Sequence, residues 1–143
     1  MGLYDRFKTN KDLEKTGVIV ELGVCRIRLA RAGGANQAYQ RALTAKTKPH
    51  RRAIQSGNMD NDVLQDILAQ VYAQHIVLGW ETKDDMGEWH DGIENANGDI
   101  VEVNYENVYQ VLTDLPDLFT EITEYATTGE LYNATMLEGA VKN

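Results

Sequence analysis

The spacing of apolar residues changes once along this chain, and that change restricts the fold more than any other feature. Apolar side chains alternate with polar or small ones through 18–24 and again through 25–29, and Gly23 lies near the point where the apolar face switches sides. Such alternation is typical of half-buried strands. We therefore predict a β-hairpin over 16–31 with a turn or bulge around 22–24. One face would be apolar, and the other would carry three arginines: Arg26, Arg28 and Arg31.

Beyond the hairpin the apolar spacing becomes helical. Asn36 can cap a first helix, and Pro49 either ends that helix or restarts a second short one. Asp60 or Asn61 can cap the clearest helix of the chain. Its apolar stripe comprises Val63, Leu64, Ile67, Leu68, Val71, Tyr72 and Ile76. These elements form a basic helical half over 36–80.

The remaining residues are acidic. We expect a long loop with one short strand over 81–103, followed by an acidic helical half over 104–140. Asn104 can cap one helix there, and Asp114 can cap the next, with Pro116 in its first turn. With an arm over 1–15, the chain is predicted to be one α+β domain, mostly helical, with an N-terminal β-hairpin packed on a bundle of four to five helices.

Charge divides the chain at its middle. Residues 1–80 contain 12 Lys/Arg and 7 Asp/Glu, whereas residues 81–143 contain 2 and 15. A split of this kind bears on association and solubility. The charge division favours a protein whose function is to bind a partner. Attraction between the basic and the acidic half could also hold the two halves together within the chain.

Several functional classes lack support in the sequence. No apolar run is long enough for a membrane span, and the first residues have no signal-peptide pattern, so we expect a soluble, intracellular protein. The lone Cys25 excludes an internal disulfide and is expected to be buried and inert. No nucleophile motif is present. We therefore predict no enzymatic activity, no catalytic residues and no cofactor.

Three local patterns have a functional and a plainer interpretation. The Gly33-Gly34 step could cradle phosphate, but it lacks the known loop spacings, which favours an ordinary strand-to-helix turn. His90 lies among five acidic residues, yet the spacing favours a solvated loop over a cation site, and no metal is predicted. Trp89 could either fold onto the core or contact a partner. Trp80 is more typical of a core anchor.

A basic patch could in principle face nucleic acid. It comprises Arg41, Lys46, Lys48, Arg51 and Arg52. Because the whole chain has a pI near 4.8, an acidic protein partner or the chain's own acidic half is favoured over nucleic acid.

The order of these segments resembles the tail assembly chaperones of long-tailed bacteriophages over nearly the whole chain. The segments that carry the resemblance are 17–23, 25–33, 36–39, 48–52, the Trp80-Glu81 step, the acidic loop, 112–119 and the closing Lys142-Asn143. The resemblance implies a non-enzymatic protein of viral morphogenesis that binds the tape measure protein, keeps it soluble and helps recruit tail tube subunits. It also implies location in the host bacterial cytoplasm and absence from the mature virion.

On this hypothesis the apolar faces of the helices contact the client. The predicted client-binding residues are Leu64, Leu68, Tyr72, Trp80, Trp89, Leu115 and Phe119. The predicted partners are the tape measure and tail tube proteins, with no nucleic acid or membrane and with self-association left open. Two alternatives remain: a stable virion part, such as a head-tail connector or tail completion protein, and, less favoured, a nucleic-acid-binding regulator.

Overall fold

The computed structural model describes residues 2–133 and 140–141, and it has the α+β fold that the sequence predicts. The hairpin is confirmed: β1 (Val18–Leu22) pairs antiparallel with β2 (Cys25–Leu29). Gly23 makes the turn with a φ of 71°, in the left-handed region that suits glycine. Ahead of the hairpin, the predicted arm folds into α1 (Leu3–Phe7) and α2 (Lys11–Thr16). Leu13 of α2 is fully buried, so the second half of the arm belongs to the core.

The helical layer follows the predicted order with small changes. It begins with α3 (Gln37–Thr47), a 3-10 turn (Lys48–His50), α4 (Arg51–Gln55) and α5 (Asn61–His75). It ends with α6 (Tyr105–Asp114), α7 (Pro116–Thr127) and a second 3-10 turn (Gly129–Tyr132). The side chains of Asn36, Asp60 and Asn104 cap α3, α5 and α6, as predicted.

The predicted Asp114 cap is wrong. Asp114 is the last residue of α6, and its carboxylate accepts a hydrogen bond from Gln110 Nε2 at 2.8 Å. Leu115 stands at the N-cap of α7 without a side-chain cap, and Pro116 begins the helix. Proline is well suited to that first position because it has no N–H to leave unsatisfied.

The predicted helical half over 36–80 ends too late. The helix stops at His75, and Val77–Lys83 forms β3, which pairs antiparallel with β2. The hairpin is therefore part of a five-stranded sheet with the order β4-β3-β2-β1-β7, in which β4 is Trp89–Asp91 and β7 is Ala140–Val141. β7 pairs parallel with β1.

The predicted acidic loop over 81–103 is more ordered than expected. Besides β4, it contains β5 (Ile93–Glu94) and β6 (Ile100–Val101), which form a small antiparallel sheet. The turn at Asn97-Gly98-Asp99 is as predicted, since Asn95 N–H donates to the Asp99 carbonyl at 2.8 Å. Of the predicted helical half over 104–140, residues 134–139 lie outside the described residues.

The helices pack on one face of the five-stranded sheet. The buried residues alternate along β1 and β2, as the sequence pattern requires, and they are Val18, Val20, Cys25, Ile27 and Leu29. In β3 the buried Val77 and Trp80 are three residues apart, next to a register shift in the pairing with β2. The other face carries Arg26, Arg28 and Glu81, and the described residues that line the pocket there belong to strands and loops. Cys25 is buried, as predicted, and burial raises the pKa of its thiol. Among the described residues, no helix combines the length and apolar character needed to cross a bilayer.

Candidate functional site

An apolar concavity lies between α5 and the α6–α7 pair, and we call it the helical groove. Its volume is about 670 Å³. The groove is lined from α5 by Asp62, Gln65, Asp66, Leu68 and Ala69, from α6 by Leu112 and Thr113, and from α7 by Pro116, Phe119, Thr120, Thr123 and Glu124. Its floor is apolar, because Ala69, Leu112 and Phe119 belong to the buried core and Leu68 packs against it.

Helical spacing explains why these side chains share one surface. On α5, Asp62, Asp66 and Ala69 are separated by four and three residues. Residues three or four apart stand above one another on a helix. Pro116, Thr120 and Thr123 repeat that spacing on α7 and form the opposite wall.

The rim of the groove is negatively charged. Asp62 and Asp66 lie on one wall and Glu124 on the other, and none of the described residues that line the groove is basic. Such a rim disfavours acidic ligands and attracts segments that carry Lys or Arg beside apolar side chains.

A hydrogen-bond network fixes the α5 wall to its neighbours. Lys46 Nζ of α3 donates to Gln70 Oε1 at 3.0 Å, and Gln70 Nε2 donates to Asp66 Oδ2 at 2.8 Å. The hydroxyl of Tyr109 on α6 donates to the other carboxylate oxygen of Asp66, and that bond raises the pKa of Tyr109. Asp66 is thus held from both sides, which keeps one edge of the groove in place.

Aromatic packing supports the floor from below. Tyr72 meets Phe119 edge to face with ring centroids 5.3 Å apart, and Tyr39 meets Tyr72 in the same way at 5.8 Å. These contacts join α3, α5 and α7. Burial raises the pKa of the Tyr72 hydroxyl.

The structure brings together only some of the predicted client-binding residues. Leu68 and Phe119 line the helical groove, and Leu115 lies exposed between α6 and α7, near its end. Leu64 is half-buried on α5 but is not among the lining residues. Tyr72 lies beneath the floor in the core, so it supports the groove without being accessible to a client.

The two tryptophans lie away from the groove. Trp80 is buried in β3, and its Nε1–H donates to the Val101 carbonyl at 3.0 Å, which pins β6 to the sheet. It is therefore a core anchor and not a surface residue. Trp89 is half-buried on the sheet face that carries Arg26 and Glu81, under the Arg26 guanidinium at 4.3 Å from the ring centroid. Arg26 also bonds to Glu81 at 2.6 Å, a contact that joins the basic half to the acidic half.

The residues of the predicted basic patch lie on α3, on the 3-10 turn that follows it and on α4. Its members Arg41, Lys48, Arg51 and Arg52 are exposed, whereas Lys46 is half-buried against Gln70. Across residues 2–133, none of the recorded ion pairs involves this patch. Its role stays a prediction.

His90 is part of the β3–β4 hairpin. Its Nε2 lies 2.6 Å from Asp84 Oδ2, and Glu88 lies close enough for the three side chains to face one ion. The other carboxylate oxygen of Asp84 accepts from the N–H groups of Met86 and Glu88, both at 2.8 Å. Asp84 thus closes the turn itself. The hydrogen bond to Asp84 raises the pKa of His90 and lowers the pKa of Asp84.

The glycine turn predicted after the hairpin already faces a carboxylate of the chain. A Cβ on Gly34 would lie 1.9 Å from Glu14 Oε2, and the φ of Gly34 is 54°. Glu14 is buried and accepts from Arg31 Nη1 at 2.5 Å. The position near the loop that a bound phosphate could have taken is occupied by this side chain, in keeping with the ordinary turn that the sequence favoured.

Sequence reasoning missed the acidic rim and half of the floor. Ala69 and Leu112 of the floor and the carboxylates of Asp62, Asp66 and Glu124 were not predicted to be part of a binding surface. The four-residue spacing of Asp62 and Asp66 was a usable signal, because it places both on one helix face. The opposing position of Glu124 depends on how α7 packs against α5, which no local pattern reveals.

These features define an α+β protein whose helical layer carries an open apolar groove edged by carboxylates. The model of the YdaY prophage protein family matches residues 34–143, which include every element that lines the groove. The chain belongs to this family and is therefore phage-derived. No curated protein matches the chain, and no solved structure does either.

Proposed function

We propose that this protein is a tail assembly chaperone that binds the tape measure protein through the helical groove, keeps that client soluble and helps recruit tail tube subunits. It would act without enzymatic chemistry in the host cytoplasm and be absent from the finished virion. Membership of a prophage family supports the phage context. The observation that carries the proposal is the apolar groove whose walls are formed by α5 on one side and by α6 and α7 on the other.

The dimensions of the groove suit a helical client. The lining residues of α7 run from Pro116 to Glu124. At about 1.5 Å per residue they span about 12 Å, which matches roughly two turns of a docked helix. A helix that lies in such a groove presents apolar side chains at positions i, i+3, i+4 and i+7. Leu68, Ala69 and Phe119 would meet those side chains.

The charge of the protein suits a holding role. The net charge is −8, and the groove has an acidic rim. A client covered by such molecules acquires negative charge, and like-charged complexes resist aggregation. The rim also selects clients whose apolar positions are flanked by Lys or Arg.

Co-expression with the tape measure protein tests the proposal. We expect the wild-type chain to raise the soluble fraction of the client several-fold and the Leu68→Glu variant to lose that effect, because a charge would enter the groove floor. Val24→Glu is the matched control, since Val24 is an exposed apolar residue of the hairpin turn, far along the chain from the groove elements. If the client is equally insoluble with and without the wild-type chain, the proposal fails.

Mass spectrometry of purified virions tests the second part. A chaperone is expected to be missing from the particle, whereas a head-tail connector or tail completion protein would be present at fixed copy number. Detection of this chain at stoichiometric amounts would favour the structural alternative.

A further inference from the structure

The first helix exposes a compact apolar face. Leu3, Tyr4 and Phe7 of α1 expose 71%, 82% and 65% of their surface. They lie at positions i, i+1 and i+4, so they share one side of the helix. Apolar side chains clustered on a surface mark contact sites more often than scattered ones do. Arg6 and Lys8 stand on either side of Phe7 in the sequence, and the Arg6 guanidinium lies over its ring at 5.2 Å.

Hydrogen bonds from the 3-10 turn region to the backbone of α1 hold the helix in place while this apolar face stays exposed. Asn133 Nδ2 donates to the carbonyls of Asp5 and Arg6, at 3.3 and 3.0 Å, and Asn10 N–H donates to the Tyr132 carbonyl at 2.8 Å. The helix is therefore anchored to the end of the helical layer while its apolar side chains face solvent.

The helical groove has the complementary chemistry. It offers an apolar floor at Leu68 and Phe119 and a rim with three carboxylates, whereas the segment 2–11 offers three apolar side chains with three basic residues against one acidic residue. We propose that α1 of one copy docks in the helical groove of a second copy, with Phe7 on the floor and Arg6 and Lys8 near the rim carboxylates. This contact joins two different surfaces, so it is heterologous and can continue from copy to copy.

The contact between α1 and the helical groove is small, and we therefore expect its affinity to be low. One short helix buries far less than a stable interface needs, so the association is expected to be weak, reversible and dependent on concentration. Salt should weaken it, because part of the attraction is between exposed charges. If the proposed function holds, a client helix competes with α1 for the same groove, and client binding disperses the assembly.

Sedimentation velocity of the full chain over a concentration series tests the inference. The wild type should shift from monomer towards dimers and larger species as concentration rises, and 0.5 M salt should reverse the shift. Phe7→Glu removes the docking side chain with little effect on folding, since Phe7 is mostly exposed. Leu68→Glu blocks the groove, and Glu124→Lys at the exposed rim is a second groove variant that spares the floor. Each variant alone should remain monomeric.

A mixture of two variants provides the sharpest result. Phe7→Glu retains an intact groove and Leu68→Glu an intact α1, so together they should form dimers that grow no further. Dimers in the mixture with monomers in each separate sample support the docking mode. A mixture that stays monomeric at concentrations where the wild type associates overturns it, as does a Phe7→Glu variant that associates like the wild type, or a wild type that is monomeric throughout.

Disulfide trapping locates the contact independently of affinity. In a Cys25→Ala background, Phe7→Cys mixed with Leu68→Cys should form a crosslinked dimer under oxidised glutathione. Met86→Cys, an exposed position on the β3–β4 turn, is the matched control and should not crosslink to Leu68→Cys. Equal crosslinking at both positions contradicts the proposal.

Because Phe7→Glu leaves the groove intact, it should still hold the tape measure protein in solution, so failure of self-docking and failure of the chaperone function are distinguishable.

Discussion

Glu14 of α2 and Arg31, which follows β2, form a buried ion pair that ties the N-terminal segment to the sheet. Arg31 Nη1 donates to Glu14 Oε2 at 2.5 Å, Arg31 N–H donates to the Glu14 carbonyl at 2.8 Å, and Thr9 Oγ1 donates to Glu14 Oε1 at 3.1 Å. The Glu14 side chain is almost fully buried, whereas that of Arg31 keeps 23% of its surface exposed. The buried Glu14 carboxylate needs the positive charge of Arg31 nearby, because little water can reach the carboxylate to solvate it in place of the guanidinium.

Removal of the arginine should therefore be costly. We expect Arg31→Ala to lower the free energy of unfolding by about 3 kcal/mol, the low end for a broken buried pair, since Arg31 keeps some contact with water. Urea denaturation followed by circular dichroism measures this change. Arg41→Ala, at an exposed position of the basic patch, should stay within about 0.5 kcal/mol of the wild type. Equal effects of the two substitutions would show that the pair contributes nothing specific.

Gly34 should be irreplaceable for a related reason. Its φ of 54° disfavours any Cβ, and an alanine Cβ would also collide with Glu14 Oε2. Gly57 separates these two effects, because it has a φ of 74° but open space around it. We expect Gly57→Ala to cost about 1 kcal/mol, the left-handed penalty alone, and Gly34→Ala to cost clearly more in the same urea experiment. A Gly34→Ala variant as stable as Gly57→Ala would mean that Glu14 can move aside.

Local patterns sufficed where an element depends on its own residues. Alternation through Cys25–Leu29 and the capping side chains of Asn36, Asp60 and Asn104 each act within a few residues, and those elements were predicted. β3 was missed because it forms by pairing with the free edge of β2, and the apolar spacing of Val77–Lys83 alone does not indicate that partner. Ile76, Val77 and Leu78 are apolar and directly follow α5. The apolar pattern therefore does not show that the helix ends at His75.

The helical groove was predictable in part for the same reason. Leu68 and Phe119 were found from helical stripes, but the stripes also include Tyr72, which the structure buries. An amphipathic pattern indicates which face of a helix packs against the core. It does not tell which residues of that face are fully covered and which stay accessible at its edge. Trp80 is buried, as its position after the long helix suggested, but its hydrogen-bond partner Val101 is 21 residues away and no local pattern indicates it.

The Asp84–His90 pair should be visible in a pH titration. The hydrogen bond to Asp84 raises the pKa of His90, so the stabilising contact with the imidazolium is present at low pH and is lost as pH rises through that raised pKa. Asp84 has a lowered pKa, so its contribution is lost only as pH falls through that lowered value. The hairpin contact is therefore strongest between the two.

NMR titration of the His90 ring protons measures this coupling. In Asp84→Asn the amide oxygen can still accept from Met86 and Glu88 N–H, so the turn should persist while the pKa of His90 falls towards its ordinary value. Asp85→Asn is the control, since it removes a neighbouring carboxylate that is not among the three facing side chains. An unchanged His90 titration in Asp84→Asn would contradict the pairing.

A bulky side chain within the helical groove should block it without unfolding the protein. Thr120 and Thr127 are both exposed threonines of α7 whose hydroxyls donate to the carbonyl four residues earlier, but only Thr120 is among the lining residues of the groove. We expect Thr120→Trp to abolish solubilisation of the tape measure protein and Thr127→Trp to preserve it, at similar midpoints of thermal unfolding. The indole at position 120 would lie over Leu68 and Phe119 and shield them from a client. Retained holding activity in Thr120→Trp, with the fold intact, would place client binding outside the groove.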